Sequence, residues 1–312
     1  MSRIIRIGCF FIFLLACTQV WGDNFISPIP LTSEIDEKKA NLGRLLFNDT
    51  RLSANGEISC ASCHNINKGG MDVNNPSVGV SGEPLDRNSL TVWNTRFNFL
   101  HMWDGRASSL KQQALMPMRD KREMAITTVQ IKKLLTSDAQ YKKLFNEFYN
   151  GKTAMRNVAD ALAEFQSSLI AINAPFDRFL RGDKRAITAQ QKNGYKLFKS
   201  YGCVACHQGT NVGGNMLQKF GVVSSLSEQH KKDLGRYNVS KLERDKHVFR
   251  VPSLRMAMYT APYFHDGSVN DLKDAVAIMA KYQLGIDLPE QDKLDIVSFI
   301  ESLAGDIKGL QK

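Results

Sequence analysis

Apolar residues fall along this chain in two distinct patterns. The first is an unbroken block from Ile7 to Ala16, set behind Arg3 and Arg6 and followed by polar residues. The block is too short to cross a bilayer comfortably, and a basic start followed by a short apolar run marks a secretory leader. Val20-Trp21-Gly22 supplies a cleavage point, so residues 1–22 are read as a signal peptide. The second pattern is helical. Val158, Leu162, Phe165 and Leu169 recur at three- and four-residue spacing and predict one apolar stripe. Thr188 with Gln191 forms a capping box that starts another helix. A helix from Asp271 would carry Leu272, Val276 and Met279 on one face. A last helix, introduced by Asp287, Pro289 and Glu290, would bury Leu294, Val297, Ile300 and Leu303 and stop at Gly305. Long alternating strands are absent, which predicts an all-α protein with extensive loops.

Removing the leader leaves about 290 residues, enough for two domains of ordinary size. The polar stretch Gly182-Asp183-Lys184 divides them into residues 23–183 and 184–312. The formal net charge of +10 includes Arg3 and Arg6, which leave with the leader. The remaining positive charge suits docking to an acidic redox partner, or simple solubility. No basic helix interleaved with aromatics points to nucleic acid. The leader places the protein beyond the cytoplasmic membrane, in the periplasm. Leu14-Leu15-Ala16-Cys17 offers lipidation at Cys17 as an alternative to free release.

Every cysteine past position 17 belongs to one of two copies of a single device, Cys60-Ala61-Ser62-Cys63-His64 and Cys203-Val204-Ala205-Cys206-His207. C-x-x-C-H is the attachment signature of c-type haem: two thiols bond to the porphyrin edge and the histidine ligates iron. A zinc site would need four thiolates or more histidines nearby. Two covalently bound haem c groups are therefore expected. Similar sequence leads into each motif, Asn41-Leu42-Gly43-Arg44-Leu45-Leu46-Phe47 and Lys192-Asn193-Gly194-Tyr195-Lys196-Leu197-Phe198. Each is followed by a glycine pair, Gly69-Gly70 and Gly213-Gly214. Two cytochrome c-like haem domains from an internal duplication are the economical reading.

The sixth ligand decides whether each iron carries electrons or binds substrate. For the second haem Met279 is a candidate, with core packing as the plainer role. For the first, Met71, Met102, Met116, Met118 and Met124 all follow the motif and none stands out. An open iron would take peroxide or another small oxidant, and cleaving peroxide needs an acid–base group. Glu123 is a candidate, with Arg119, Lys121 and Arg122 favouring its ionised form. By composition alone a solvated surface carboxylate is the plainer reading.

Taken together, the chain resembles the bacterial dihaem cytochrome c peroxidases from about Ile29 to Gly305. The resemblance is carried by Leu42-Gly43-Arg44-Leu45-Leu46-Phe47, Phe97-Asn98-Phe99, Trp103-Asp104-Gly105-Arg106, Ala174-Pro175-Phe176-Asp177, Tyr263-Phe264-His265-Asp266-Gly267 and Tyr282-Gln283-Leu284-Gly285. It implies reduction of hydrogen peroxide with electrons from a small cytochrome c or cupredoxin, usually by a homodimer. The haem of His64 would be peroxidatic, and that of His207 and Met279 would receive electrons. Glu123 and Gln113 would be the distal acid–base and orienting groups, with Trp103 between the haems. A calcium ion would take the Asn88 side chain and the Thr260 and Pro262 carbonyls.

Two departures stand out. The family loop that often carries a distal histidine reads Ser77-Val78-Gly79-Val80 here, which predicts an open resting iron. Leu90 replaces the proline usual after Asn88-Ser89. His265 is expected near the second haem; His101 could approach the open haem, with a structural or surface role the plainer one, and His230 and His247 receive no role. Two other readings compete: a dihaem enzyme that oxidises tryptophan side chains of a partner protein, and a dihaem electron carrier with no chemistry of its own.

Overall fold

The computed structural model describes residues 25–72 and 76–307. The expected leader and Cys17 lie outside these residues. Within them the chain is helical. The first part contributes α1 (Glu37–Asn48), α2 (Cys60–Cys63), α3 (Leu110–Arg119), α4 (Thr128–Ser137), α5 (Ala139–Tyr149), α6 (Met155–Ser168) and α7 (Pro175–Leu180). The second contributes α8 (Ala189–Ser200), α9 (Glu228–Lys231), α10 (Tyr237–Ser240), α11 (Leu272–Met279) and α12 (Glu290–Glu301). One antiparallel ribbon joins β1 (Leu217–Lys219) to β2 (Val248–Arg250), with Leu217 opposite Arg250.

Helix starts follow the capping chemistry of the sequence. Asp36 accepts the Lys39 amide at the head of α1, Thr188 and Gln191 close a reciprocal box on α8, and Asp271 accepts the Lys273 and Asp274 amides on α11. Two helix pairs organise the interior. α1 packs on α6 because Gly43 lets the backbones meet: a Cβ there would come within 2.0 Å of the Ala161 carbonyl oxygen. α8 packs on α12 in the same manner, where a Cβ on Gly194 would lie 1.8 Å from the Asp295 carbonyl oxygen. The first pair buries Leu42, Leu46, Val158, Leu162 and Phe165, so the stripe predicted for α6 is its core face. The second buries Phe198, Ile296, Phe299, Ile300 and Leu303.

The face predicted for α12 needs correction. Leu294 is 41% exposed, and the buried side runs through Ile296 and Phe299 instead. Contact between Gly194 and the Asp295 backbone fixes the rotation of the helix, and Leu294 falls on the far side. The helix also ends earlier than predicted, at Ser302; Gly305 instead packs closely on the Ala171 carbonyl.

Short segments cross between the two cores. Ile26, Phe176, Phe179 and Leu180 pack with α8 and α12, whereas Ala304 and Ile307 pack in the first core. One buried ion pair secures this exchange. Asp177 and Arg255, 0% and 1% exposed, meet through two hydrogen bonds of 2.7 and 3.1 Å. Arg255 also donates to the Thr210 and Ser27 carbonyls, and the Ile29 amide donates to Asp177. Removing one partner strands a buried charge, so Asp177→Ala should destabilise the protein by about 3–5 kcal/mol. A urea midpoint unchanged from the parent would show that the pair does not hold the exchanged segments.

Candidate active site

Each C-x-x-C-H motif folds as a single helical turn. In both, the histidine amide donates 2.9 Å to the carbonyl of the first cysteine: His64 to Cys60 and His207 to Cys203. The turn brings both thiols and the imidazole to one side. The glycine pairs behind the motifs have positive φ, between 73° and 125°, and permit close approach. At Gly70 a Cβ would meet the Trp93 ring at 2.6 Å, and at Gly213 the Pro252 carbonyl at 2.2 Å. His64 Nδ1 lies 3.3 Å from the Gly70 carbonyl. With Nδ1–H donating there, Nε2 is left as the metal-ligating nitrogen. Burial lowers the pKa of both histidines, His207 to about 4, so each imidazole is neutral. Burial also raises the thiols, Cys60 to about 12 and Cys63 and Cys203 to about 11. No disulfide joins the four cysteines.

Cys60, Cys63 and His64 form part of the wall of a cavity of about 870 Å³. That volume lies within the usual range for sites that engulf a ligand, about 300–1,000 Å³. The thiols, the neutral imidazole and the space beside them fit a covalently held haem. Gln113 on α3, Glu123 on the turn after it, and Trp103 line the same cavity. Gln113 Oε1 is buried without a hydrogen-bond partner, a state that polar atoms seldom keep unless a ligand completes them. Trp103 is buried, and its Nε1–H donates 2.8 Å to the Asn88 carbonyl. Cys203, Cys206, His207 and Met279 are not among the lining residues. Met279 ends α11, whose Leu272 and Val276 pack in the core that holds Cys203. Met279 itself packs with Trp103, Phe220 and Phe249, and a single π turn, Ala280–Leu284, follows it.

The setting of Glu123 differs from its sequence context. Its pKa is raised, by burial first and by Asp120 second, against the opposing charges of Arg106 and Arg122. The neighbours expected to ionise it are directed elsewhere: Arg119 to Met155 Sδ at 3.3 Å, Arg122 to Asp86 at 2.6 Å. Desolvation therefore outweighs them.

Comparison with known proteins agrees with this geometry. Residues 37–185 match the Di-haem cytochrome c peroxidase family. The cytochrome c551 peroxidase of Nitrosomonas europaea is 39% identical over 282 residues, covering 90% of this chain and 84% of that protein. This chain belongs to the dihaem cytochrome c peroxidase family. The cytochrome c peroxidase Ccp of Escherichia coli is 44% identical over 283 residues, 90% of this chain; the chain spans 61% of that longer relative. A crystal structure of a MauG-like protein associated with microbial copper homeostasis has the same fold, with a TM-score of 0.77 at 24% identity, covering 90% of this chain and 93% of that one.

For several residues of this family member the fold, not the sequence, supplies the surroundings. His265, expected beside the second haem, lines the cavity of His64, stacked on Phe249 at 4.3 Å and edge-on to Trp103. His101 lines it too, and burial with the Arg250 charge lowers its pKa to about 4. His230 is buried between the Ser227 and Ser268 hydroxyls. Arg87 joins Asp233 to Asp104, and Asp104 joins Arg106, through bonds of 2.5–2.9 Å along the cavity wall. Of the residues expected to hold calcium, Asn88 and Pro262 are brought together: the Asn88 amide lies 2.5 Å from the Pro262 carbonyl, and Asn88 Oδ1 is buried without a partner among the described residues. Thr260 lies two residues away, its hydroxyl on the Ala257 carbonyl. Neutral oxygens of this kind fit a hard cation.

The raised carboxyl gives a testable linkage. The folded chain holds the Glu123 proton more tightly than the unfolded chain does, so stability falls as pH rises through the folded value. Glu123→Gln should flatten the decline from about pH 4.5 upward. Urea midpoints of both proteins across pH would check this, and parallel curves would refute it.

Proposed function

We propose that this chain is a periplasmic dihaem c-type peroxidase, reducing hydrogen peroxide to water with electrons from a small cytochrome c or cupredoxin. The observation that carries the reading is the cavity itself. A C-x-x-C-H turn shares the cavity wall with a carboxyl whose pKa burial raises and with an amide oxygen that has no partner among the described residues. A haem held by Cys60, Cys63 and His64 supplies a metal face for peroxide and the redox equivalents. The Glu123 carboxylate takes the proton from the nearer peroxide oxygen and returns it to the farther one, which leaves as water. Burial raises the pKa of this carboxyl, which strengthens its hold on the proton it takes up before passing it on. Gln113 orients the oxygens by hydrogen bonding.

Cys203, Cys206, His207 and Met279 hold the electron-accepting haem in this reading, with Met279 as the axial thioether. Trp103 belongs to both the cavity wall and the cluster containing Met279, which supports its place on the electron path. Two haem domains, 23–183 and 184–312, arose by duplication; the paired packing of α1 on α6 and α8 on α12 supports this. Calcium held by Asn88, Thr260 and Pro262, a homodimeric assembly, cleavage after residue 22 and the alternative anchor at Cys17 complete the proposal.

Peroxide consumption with reduced cytochrome c as donor tests the function, and an inert protein that only shuttles electrons would sink it. Glu123→Gln should lower turnover by about 10² or more. Full activity in that variant removes the residue from the reaction. Because valine cannot ligate iron, Val80 leaves the His64 site open at rest. The oxidised enzyme should then show one high-spin ferric haem before any reductant is added; two low-spin signals would overturn this.

A further inference from the structure

Arg250 is a buried cation without a counter-ion among the described residues. It ends β2, is 4% exposed, and lines the cavity of His64. Its guanidinium meets carbonyls alone: Nε donates 3.3 Å to Met102 and Nη1 3.5 Å to Val251. The buried Arg255 is matched by Asp177, and on the cavity wall Arg87 is matched by Asp233 and Asp104 and Arg106 by Asp104. Burial is the one influence on the Arg250 pKa, lowering it to about 10, so the group stays charged at neutral pH. His101 beside it is held neutral and cannot balance that charge.

An unpaired buried charge is strongly unfavourable, and native proteins match it with a partner or a ligand. The partner here must be an anion that enters the cavity. A planar guanidinium fork matches a carboxylate in two parallel hydrogen bonds. We propose that Arg250 is the counter-ion of a propionate of the haem attached at Cys60 and Cys63. The inference rests on the reading of this cavity as a haem site and adds to it the group that fixes the polar edge of the cofactor. It also gives the second part of the chain a share in the peroxidatic site. The Arg250 amide donates 2.7 Å to the Trp103 carbonyl, so one residue anchors both the bridging tryptophan and the cofactor charge.

The test uses the full-length, haem-loaded protein with Arg250→Gln and Arg250→Lys, each haem being titrated by spectroelectrochemistry. Losing a nearby cation favours the ferric form. Arg250→Gln should shift the ferric–ferrous equilibrium of the Cys60/Cys63 haem about tenfold or more toward ferric, which is about 59 mV for one electron. Arg250→Lys should stay within about threefold of the parent, and the His207 haem should hold still in both. The propionate bending band in the resonance Raman spectrum should move in both variants, because each loses the fork. Should the Gln variant fail to accumulate, the Lys variant decides alone: a moved band with the potential held supports the proposal, and an unmoved band overturns it. Equal shifts in both variants, a shift confined to the His207 haem, or no shift at all also overturn it. The haem content of the parent is a separate measurement: fewer than two covalently bound haems per chain would remove the underlying reading rather than the role of Arg250.

Discussion

Charge enclosed beside a large apolar cofactor is the constraint on which this structure turns. A haem demands a greasy slot, while peroxide chemistry and polar haem substituents demand ionised groups at its rim. The chain meets both demands by separating them. The two cores, built on α1 with α6 and α8 with α12, are apolar. The charges run along the wall between them, where Arg87, Asp104, Arg106 and Asp233 form one connected chain. Asp233 comes from the second part of the sequence and the other three from the first, so the network also sets the register of the two parts. Buried ion pairs are weak evidence of stability but well suited to specifying one arrangement. The Asp177–Arg255 pair acts in the same way for the exchanged segments.

The difference between the two haem sites comes down to what one helix presents. α3 and α11 each follow a turn of the same form: His101 pairs with Ala107 and Tyr263 with Val269, with positive φ at Met102 and Gly105 in one and at Phe264 and Gly267 in the other. Each helix then starts from a side-chain cap, Ser109 or Asp271. Counted from Leu110 and Leu272, Pro117 and Met279 occupy the same position. Proline has no group to offer a metal, whereas methionine offers a thioether. A single side chain on a common scaffold thus separates a site proposed to stay open from one proposed to be closed. Gln113 and Glu123 line the cavity of His64, whose wall does not include His207 or Met279.

What the sequence made legible was local. Thiols and imidazoles three or four residues apart share one turn in any fold, so the haem-attachment residues needed no tertiary information. The α6 stripe and the α8 and α11 caps are likewise written in short windows. The α12 face was misread because Leu294 and Val297 complete a plausible stripe, and a glycine on another helix decides which side is buried. The Glu123 environment was invisible for a related reason. Its charged sequence neighbours pair with Asp86 and Met155, far away in the chain, and burial is left to set its protonation. Arg250 and His265 reach the cavity only through β2 and a long-range turn, which no periodicity announces.

The loop around Val80 shows how an open site can remain ordered. Its amide donates 2.8 Å to the Glu123 carbonyl, and the Ser81 hydroxyl reaches the Arg122 carbonyl at 3.3 Å. Gly79 passes so close that a Cβ would lie 1.9 Å from the Arg122 carbonyl oxygen. The segment therefore braces the turn that carries Glu123. For a side chain from this loop to ligate the metal, these backbone bonds would have to break, loosening the acid–base residue while the iron is blocked. Valine at position 80 removes the ligand and leaves the brace. On the proposed reading, in which the His64 site is open at rest, the backbone bonds that hold Glu123 do not have to break for peroxide to enter.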